Sequence, residues 1–230
     1  MPSKSADNNI NNYNIKKVMM SDLKADMTQC NSKKHSFWTM LNDLKADIAR
    51  YIEYENTSWI FLLLTKRGLW ATFQYRVSRW VHLSVHIPIL RQMLKAFCLF
   101  WRLFIEIVMG IELANRAEIG KGLYIAHAQG IIIHCDAKIG EYCNLSHNVT
   151  IGVAGRGDKR GVPKLGNRVF IGSGAQIIGS IAIGDDVAIG ANAVVTKDLP
   201  DNAVAVGVPA KVISYEGSKD FIIYRQSSDC

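Results

Sequence analysis

The sequence has little of what would replace a hydrophobic core or carry it through a bilayer. Only five of its 230 residues are Cys (Cys30, Cys98, Cys135, Cys143 and Cys230), an odd, scattered set without a CxxC pair. Neither a disulfide framework nor a zinc knuckle follows from that pattern, and reduced thiols are expected. Five Pro against eighteen Gly exclude a collagen-like chain. Long apolar runs are also missing. In the greasiest region the longest charge-free stretch, Trp80 to Leu90, has 11 residues and contains two His and a Pro; a spanning helix needs roughly 18. The Asn-rich start (Asn8, Asn9, Asn11, Asn12, Asn14) lacks the basic-then-apolar order of a secretory leader, so a cytoplasmic protein is expected.

What is present describes a globular chain, 49% hydrophobic and 20% charged, with a formal net charge of +7. The charge is uneven. Residues 1–110 carry 15 Lys+Arg against 8 Asp+Glu, whereas residues 111–230 carry 12 of each. Residues 1–36 are polar and weakly periodic and read as a flexible tail. Within them Asp22-Leu-Lys-Ala-Asp26 anticipates Asp43-Leu-Lys-Ala-Asp47, and both read as helical surface.

Residues 37–110 have a helical pattern. In the last segment Arg91, Lys95, Arg102 and Glu106 form one narrow polar stripe, and Met93, Phe97, Phe100, Phe104 and Val108 help to cover the rest. Between Trp59 and Gly110 seven basic residues accompany one acidic residue. Two readings stand: ordinary packing with solvated Arg, or a basic amphipathic surface touching the inner face of an anionic membrane. Nothing calls for a nucleic-acid partner.

From Ile111 the pattern changes. Aliphatic residues recur every six at Leu113, Ile119, Ile125 and Ile131, then at Ile139, Leu145 and Ile151. The series resumes with Leu165, Ile171, Ile177, Ile183, Ile189 and Val195. Neither a helix nor an alternating strand has that period, but a parallel β-helix with three short strands per turn does. Second inward residues follow four places on, as at Ala117, Leu123, Cys143, Val149, Val169 and Ala175, which makes Cys143 a packing residue. Thirteen hexads build about four turns, interrupted by two extra residues between Ile131 and Ile139 and eight between Ile151 and Leu165. The fold class is therefore α+β: a helical region, 37–110, followed by a parallel β-helix of hexapeptide repeats, 111–212, and a C-terminal tail, 213–230.

The register also predicts which residues stack. Hexads starting at Ile125, Leu145, Ile171 and Ile189 fall on one side of successive turns, and their third residues are His127, His147, Ser173 and Ala191. Two outward imidazoles, one strand spacing of about 4.8 Å apart, would lie beside two small residues. Such an imidazole suits general-base work near neutral pH. A metal reading needs three converging His, and His134 is off the column. Gly155-x-Gly157-x-x-x-Gly161 lacks the spacing of a phosphate-binding loop.

The stretch Gly110-Ile-Glu-Leu-Ala-Asn-Arg-Ala-Glu-Ile-Gly-Lys-Gly-Leu-Tyr-Ile-Ala-His-Ala-Gln-Gly130, the hexads, and Gly207-Val-Pro-Ala-Lys-Val212 resemble the serine acetyltransferase family of hexapeptide acyltransferases. The resemblance covers roughly residues 70–213. It implies that the β-helix is left-handed, and a homotrimer or a dimer of trimers with acetyl-CoA lying between neighbouring coils and no metal. It implies that His127 is the general base and that Glu112, in place of the family's Asp, orients it. Backbone at Gly152 and Val153 would face the thioester oxygen, Ser173 and Ala191 the pantetheine arm, and Lys197, Pro209 and Lys211 the nucleotide end.

His147 and the loop bearing Arg156 would contribute to the acceptor pocket. Two family positions that hold serine, an Asp before the catalytic His and a His before Pro-Lys, are here Ala126 and Val162. Those departures resemble the related O-acetyltransferases of polysaccharide gene clusters, so a sugar hydroxyl of a capsular or exopolysaccharide is the expected acceptor. Serine O-acetylation for cysteine synthesis is the alternative, and a non-catalytic membrane-bound scaffold the third.

Overall fold

The computed structural model describes residues 36–157 and 160–222. The expected tail before residue 36 and the last eight residues lie outside them. Among the described residues four helices come first: α1 (Phe37–Glu55), α2 (Trp59–Thr65), α3 (Arg67–Ser84) and α4 (Pro88–Met109). Local chemistry sets several of their ends. The Ser36 hydroxyl accepts from Thr39 N at 3.1 Å and opens α1. Pro88 occupies the first turn of α4, and Gly110, at φ +63°, closes it.

Fifteen short strands then wind into a parallel β-helix. One side stacks β1 (Glu112–Leu113), β4 (Ile132–Ile133), β7 (Thr150–Gly152), β10 (Gln176–Ile178) and β13 (Val194–Val195). The second stacks β2 (Glu118–Ile119), β5 (Lys138–Ile139), β8 (Lys164–Leu165) and β11 (Ala182–Ile183). The third stacks β3 (Tyr124–Ile125), β6 (Asn144–Leu145), β9 (Phe170–Ile171), β12 (Ala188–Ile189), β14 (Val204–Val206) and β15 (Lys211–Ser214). Every pairing is parallel except β14 with β15. Four complete turns and part of a fifth result. Inward aliphatics stack at the predicted period: Ile125 (in β3, Tyr124–Ile125) aligns with Leu145, then Ile171, Ile189 and Ala205. Cys143 is fully buried as a packing residue, and burial pushes its thiol up to about 12.

One register assignment changes. Leu113 pairs with Ile133, not Ile131, so the two extra residues precede Ile133 and fall in the turn that carries His127. Ile131 takes the second inward position instead and is fully buried. The eight-residue insertion is a hairpin arm, with Ala154 and Gly161 bonded antiparallel.

The helices close the open edge of the first coil. Tyr75 Oη donates to Ala117 O at 2.7 Å and accepts from Ile119 N at 3.2 Å; Tyr51 Oη treats Ile125 the same way, at 3.3 and 3.0 Å. Burial holds both phenols well above their ordinary range, so they stay protonated and can donate. Arg76 donates to Ile119 O and Gly120 O at 2.7 and 2.6 Å and grips Asp47 with two nitrogens, at 2.8 and 3.1 Å. Asp47 in turn accepts from Leu123 N at 2.8 Å. Neither side chain is exposed. Asp47 is thus interior, against the surface reading of its motif, and Arg76 is not a solvated or lipid-facing cation.

The segment after β15 (Lys211–Ser214) also departs from the expected tail. Ser218 N bonds Asp186 O at 2.9 Å, Phe221 stacks on Phe170 at 4.9 Å, and Ile222 is buried. The hydrophobic residues along it and Tyr54, which donates to Phe221 O at 3.2 Å, dock it onto the third sheet and α1.

Breaking the buried pair leaves an uncompensated charge, so Arg76→Ala is expected to cost about 3–5 kcal/mol of stability, read by urea unfolding; a loss under 1 kcal/mol refutes the capping role. Because folding favours the Cys143 thiol, its contribution is complete below the unfolded pKa of 9.0 and fades as pH rises towards about 12. Native protein at pH 8 should therefore leave Cys143 unalkylated by iodoacetamide while denatured protein is labelled, as peptide mass spectrometry would report.

Candidate active site

The predicted column forms on one corner of the coil. His127 follows β3, His147 follows β6 (Asn144–Leu145), Ser173 follows β9 (Phe170–Ile171) and Ala191 follows β12 (Ala188–Ile189). The His127 and His147 rings meet edge to face with centroids 6.1 Å apart, and His147 Nδ1 lies 3.2 Å from Ser173 Oγ. His127 is exposed and His147 half-buried. From His127 to Ala191 the column crosses three coil spacings, or about 14 Å.

The turn that presents His127 is held from both sides. His127 itself adopts φ +52°, and Gly130 adopts φ +66°. A Cβ on Gly130 would displace the tip of the Asn148 side chain, and the left-handed φ itself favours glycine there. Gln129 O accepts from Asn148 N at 2.9 Å, and Met109 O at the end of α4 accepts from Gly130 N at 3.3 Å. Tyr51 clamps Ile125 two residues before the imidazole. The sequence pattern gives Tyr51 no separate role and reads Asp47 as helical surface; their one signal there is a polar group on the face of a helix that must pack.

Glu112 begins β1 (Glu112–Leu113) and pairs in register with Ile132, at the far end of the His127 turn. Its carboxylate engages Arg102 Nη2 of α4 at 3.4 Å, and Arg102 Nε also bonds Glu106 at 2.5 Å. Gly152 closes β7 (Thr150–Gly152) on the same sheet and Val153 follows it, both half-buried. Arg156 is exposed on the hairpin arm, whereas Val162 packs against the β-helix core. Ala126 is half-buried, with its N–H donated to Leu145 O at 2.8 Å.

At the far end of the coil, Ala210 N bonds Val194 O at 2.8 Å and Val194 N bonds Gly207 O at 3.0 Å. These bonds bring the turn with Pro209 and Lys211 beside β13 (Val194–Val195), close in sequence to Lys197; all three residues are exposed. The column thus begins at two imidazoles, and beyond Ala191 the next strand of its sheet, β14, leads into the turn that carries Pro209.

A second group of donors, His134, Cys135 and Asp136, lies off the column with ligand-capable atoms within 4.8 Å of one another. Its atoms have other work: His134 Nδ1 accepts from Asp136 N at 3.2 Å, and Arg116 donates to Asp136 at 3.3 Å. Burial also pushes the Cys135 thiol up, against the thiolate a metal would need.

Comparison with known proteins agrees with this arrangement. Residues 163–197 match the bacterial transferase hexapeptide (six repeats) family. A serine acetyltransferase of Helicobacter pylori is 47% identical over 107 residues, 46% of this chain and 63% of that protein. The chain therefore spans less than two thirds of that relative's length. Among solved structures, the Neisseria gonorrhoeae serine acetyltransferase in complex with serine superposes with a TM-score of 0.67 at 29% identity, over 78% of this chain and 71% of that one. A serine acetyltransferase in complex with CoA gives 0.62 at 28%, over 78% and 72%. The soybean serine acetyltransferase apoenzyme gives 0.62 at 32% identity, over 76% of this chain and 69% of that one. With its helical cap, hexapeptide coil and imidazole column, the chain belongs to the serine acetyltransferase-like family of hexapeptide-repeat acyltransferases.

Proposed function

We propose that the protein is an acetyl-CoA-dependent O-acetyltransferase, and that its first acceptor is the hydroxyl of L-serine. The observation that carries acetyl transfer is the column in which His127 stands edge-on to His147 and His147 contacts Ser173 on a hexapeptide coil. In this reading His127 takes the proton of the acceptor hydroxyl. The oxygen attacks the thioester carbonyl, the carbon–sulfur bond breaks, and the CoA sulfur leaves with the proton returned from the imidazolium. Backbone N–H groups at Gly152 and Val153 face the developing oxyanion. Glu112 orients the imidazole, a role for which its carboxylate must turn from Arg102 to His127.

Acetyl-CoA runs along the column, past Ser173 and Ala191, with Lys197, Pro209 and Lys211 at its phosphates, where cations are favourable. The working form in this reading is a trimer whose neighbouring coils share the donor.

The names of the relatives favour serine over the sugar acceptor expected from the sequence. One observation keeps a saccharide hydroxyl as the second reading. Ala126 and Val162 supply no polar group at two places where the family resemblance expects serine to be held, and Val162 is packed onto the core. Sites specific for polar substrates depend on paired polar contacts.

Following CoA release from acetyl-CoA with L-serine, and separately with a panel of mono- and oligosaccharides, decides between them. Turnover with serine alone is the expected result; turnover with saccharides alone transfers the function to the second reading. Replacing His127 by Ala should lower kcat about 10²–10⁴-fold, and undiminished turnover in that variant rules out the base assignment. Glu112→Gln should lower kcat with little change in KM for acetyl-CoA; equal loss in Arg102→Gln would instead point to a role in folding.

A further inference from the structure

Helix α4 has two unlike faces. Cys98, Ile105 and Met109 are buried in the protein. On the other face Ile89, Met93, Phe97, Phe100, Phe104 and Ile107 recur at helical spacing and stand in the open, with Ile89 at 78%, Phe100 at 73% and Ile107 at 83% exposure. At 100° per residue the exposed apolar arc covers about half of the circumference, with Gln92 its one polar member. Arg91, Lys95, Arg102 and Glu106 line one border of that arc. At 22 residues the helix is about 33 Å long, yet no described helix is long and apolar enough to cross a membrane. Bulky apolar residues are also exposed nearby in sequence, including Trp59, Phe61 and Leu64 on α2.

We infer that the outer face of α4 lies in the headgroup region of an anionic lipid bilayer, with the helix axis parallel to the surface. Two observations select lipid over a second copy of the chain. The first is breadth. A helix paired with another helix buries a narrow seam, whereas an in-plane amphipathic helix immerses a broad arc of large side chains. The second is charge. On α4 itself Arg91, Lys95 and Arg102 stand against one acid, Glu106. The one acid of α4, Glu106, is held by Arg102. Two such regions face to face would repel, and an anionic surface attracts them. The helix runs through Gly110 into β1, so docking sets Glu112 at the membrane side of the coil. This inference does not rest on acetyl transfer, because lipid binding is read without substrates.

The full chain would be sedimented with vesicles of phosphatidylcholine alone or with a quarter phosphatidylglycerol, at low and high salt. Binding to the anionic vesicles should exceed binding to the neutral ones by about tenfold at low salt and weaken as salt rises. The double variant Phe100→Asp, Ile107→Asp should lose it while keeping the wild-type circular dichroism spectrum. In the wild type, lipids brominated on their acyl chains should quench tryptophan emission, which reads insertion without any substitution. Absence of quenching and of sedimentation overturns the proposal, as does equal binding to neutral vesicles or full binding by a folded double variant. A mass in light scattering that falls by half in the variant, without vesicle binding by the wild type, assigns the face to a second copy and overturns it equally.

Discussion

A β-helix must end, and its first coil ends in an open row of backbone donors and acceptors that would otherwise pair with another chain. In this protein that edge is closed by side chains from two helices. Tyr75, Arg76 and Arg79 reach the carbonyls of Ala117, Ile119 and Gly120, while Tyr51 and Asp47 serve Ile125 and Leu123. The Asp47–Arg76 pair is central because it is fully buried. Desolvation of two charges is costly, and it is offset here only because each partner also bonds backbone that has no other partner. Burial pushes the Asp47 carboxyl up against the opposing pull of Arg76, and the Asp47 charge keeps the Arg76 guanidinium protonated despite its own burial.

The same cap organises the candidate site. Tyr51 grips Ile125, and two residues later the chain turns through His127 in a left-handed conformation. Ser173 then fixes His147 from the other side. The first titratable group of the column is thus tied to the helical region through backbone bonds, and the remaining members are ordered by strand pairing alone. Glu112 is joined to α4 through Arg102, so the helix and the mouth of the site share an ion-pair network.

Charge counting alone misleads about where the positive residues act. Arg76 and Arg79 add to the basic total of the helical region but point into the first coil, where they satisfy carbonyls. What sets the outer surface of α4 apart is a wide arc without charge. Packing claims Arg76 and Arg79 of α3, and the apolar exterior of α4 faces outward.

By itself the sequence determined the coil and the column, because a period of six residues assigns each position to a side of the triangle without reference to anything outside the repeat. It therefore placed His127, His147, Ser173 and Ala191 on one corner, and Cys143 inside. It did not determine where the two extra residues fall, since Ile131 and Ile133 are equally aliphatic and only strand pairing separates them. Nor did it reveal that Asp47 is interior, that residues 217–222 dock against Phe170, or that Glu112 turns to Arg102. Those outcomes belong to the tertiary structure, because each depends on contacts between segments far apart in the chain or beyond the reach of the local period.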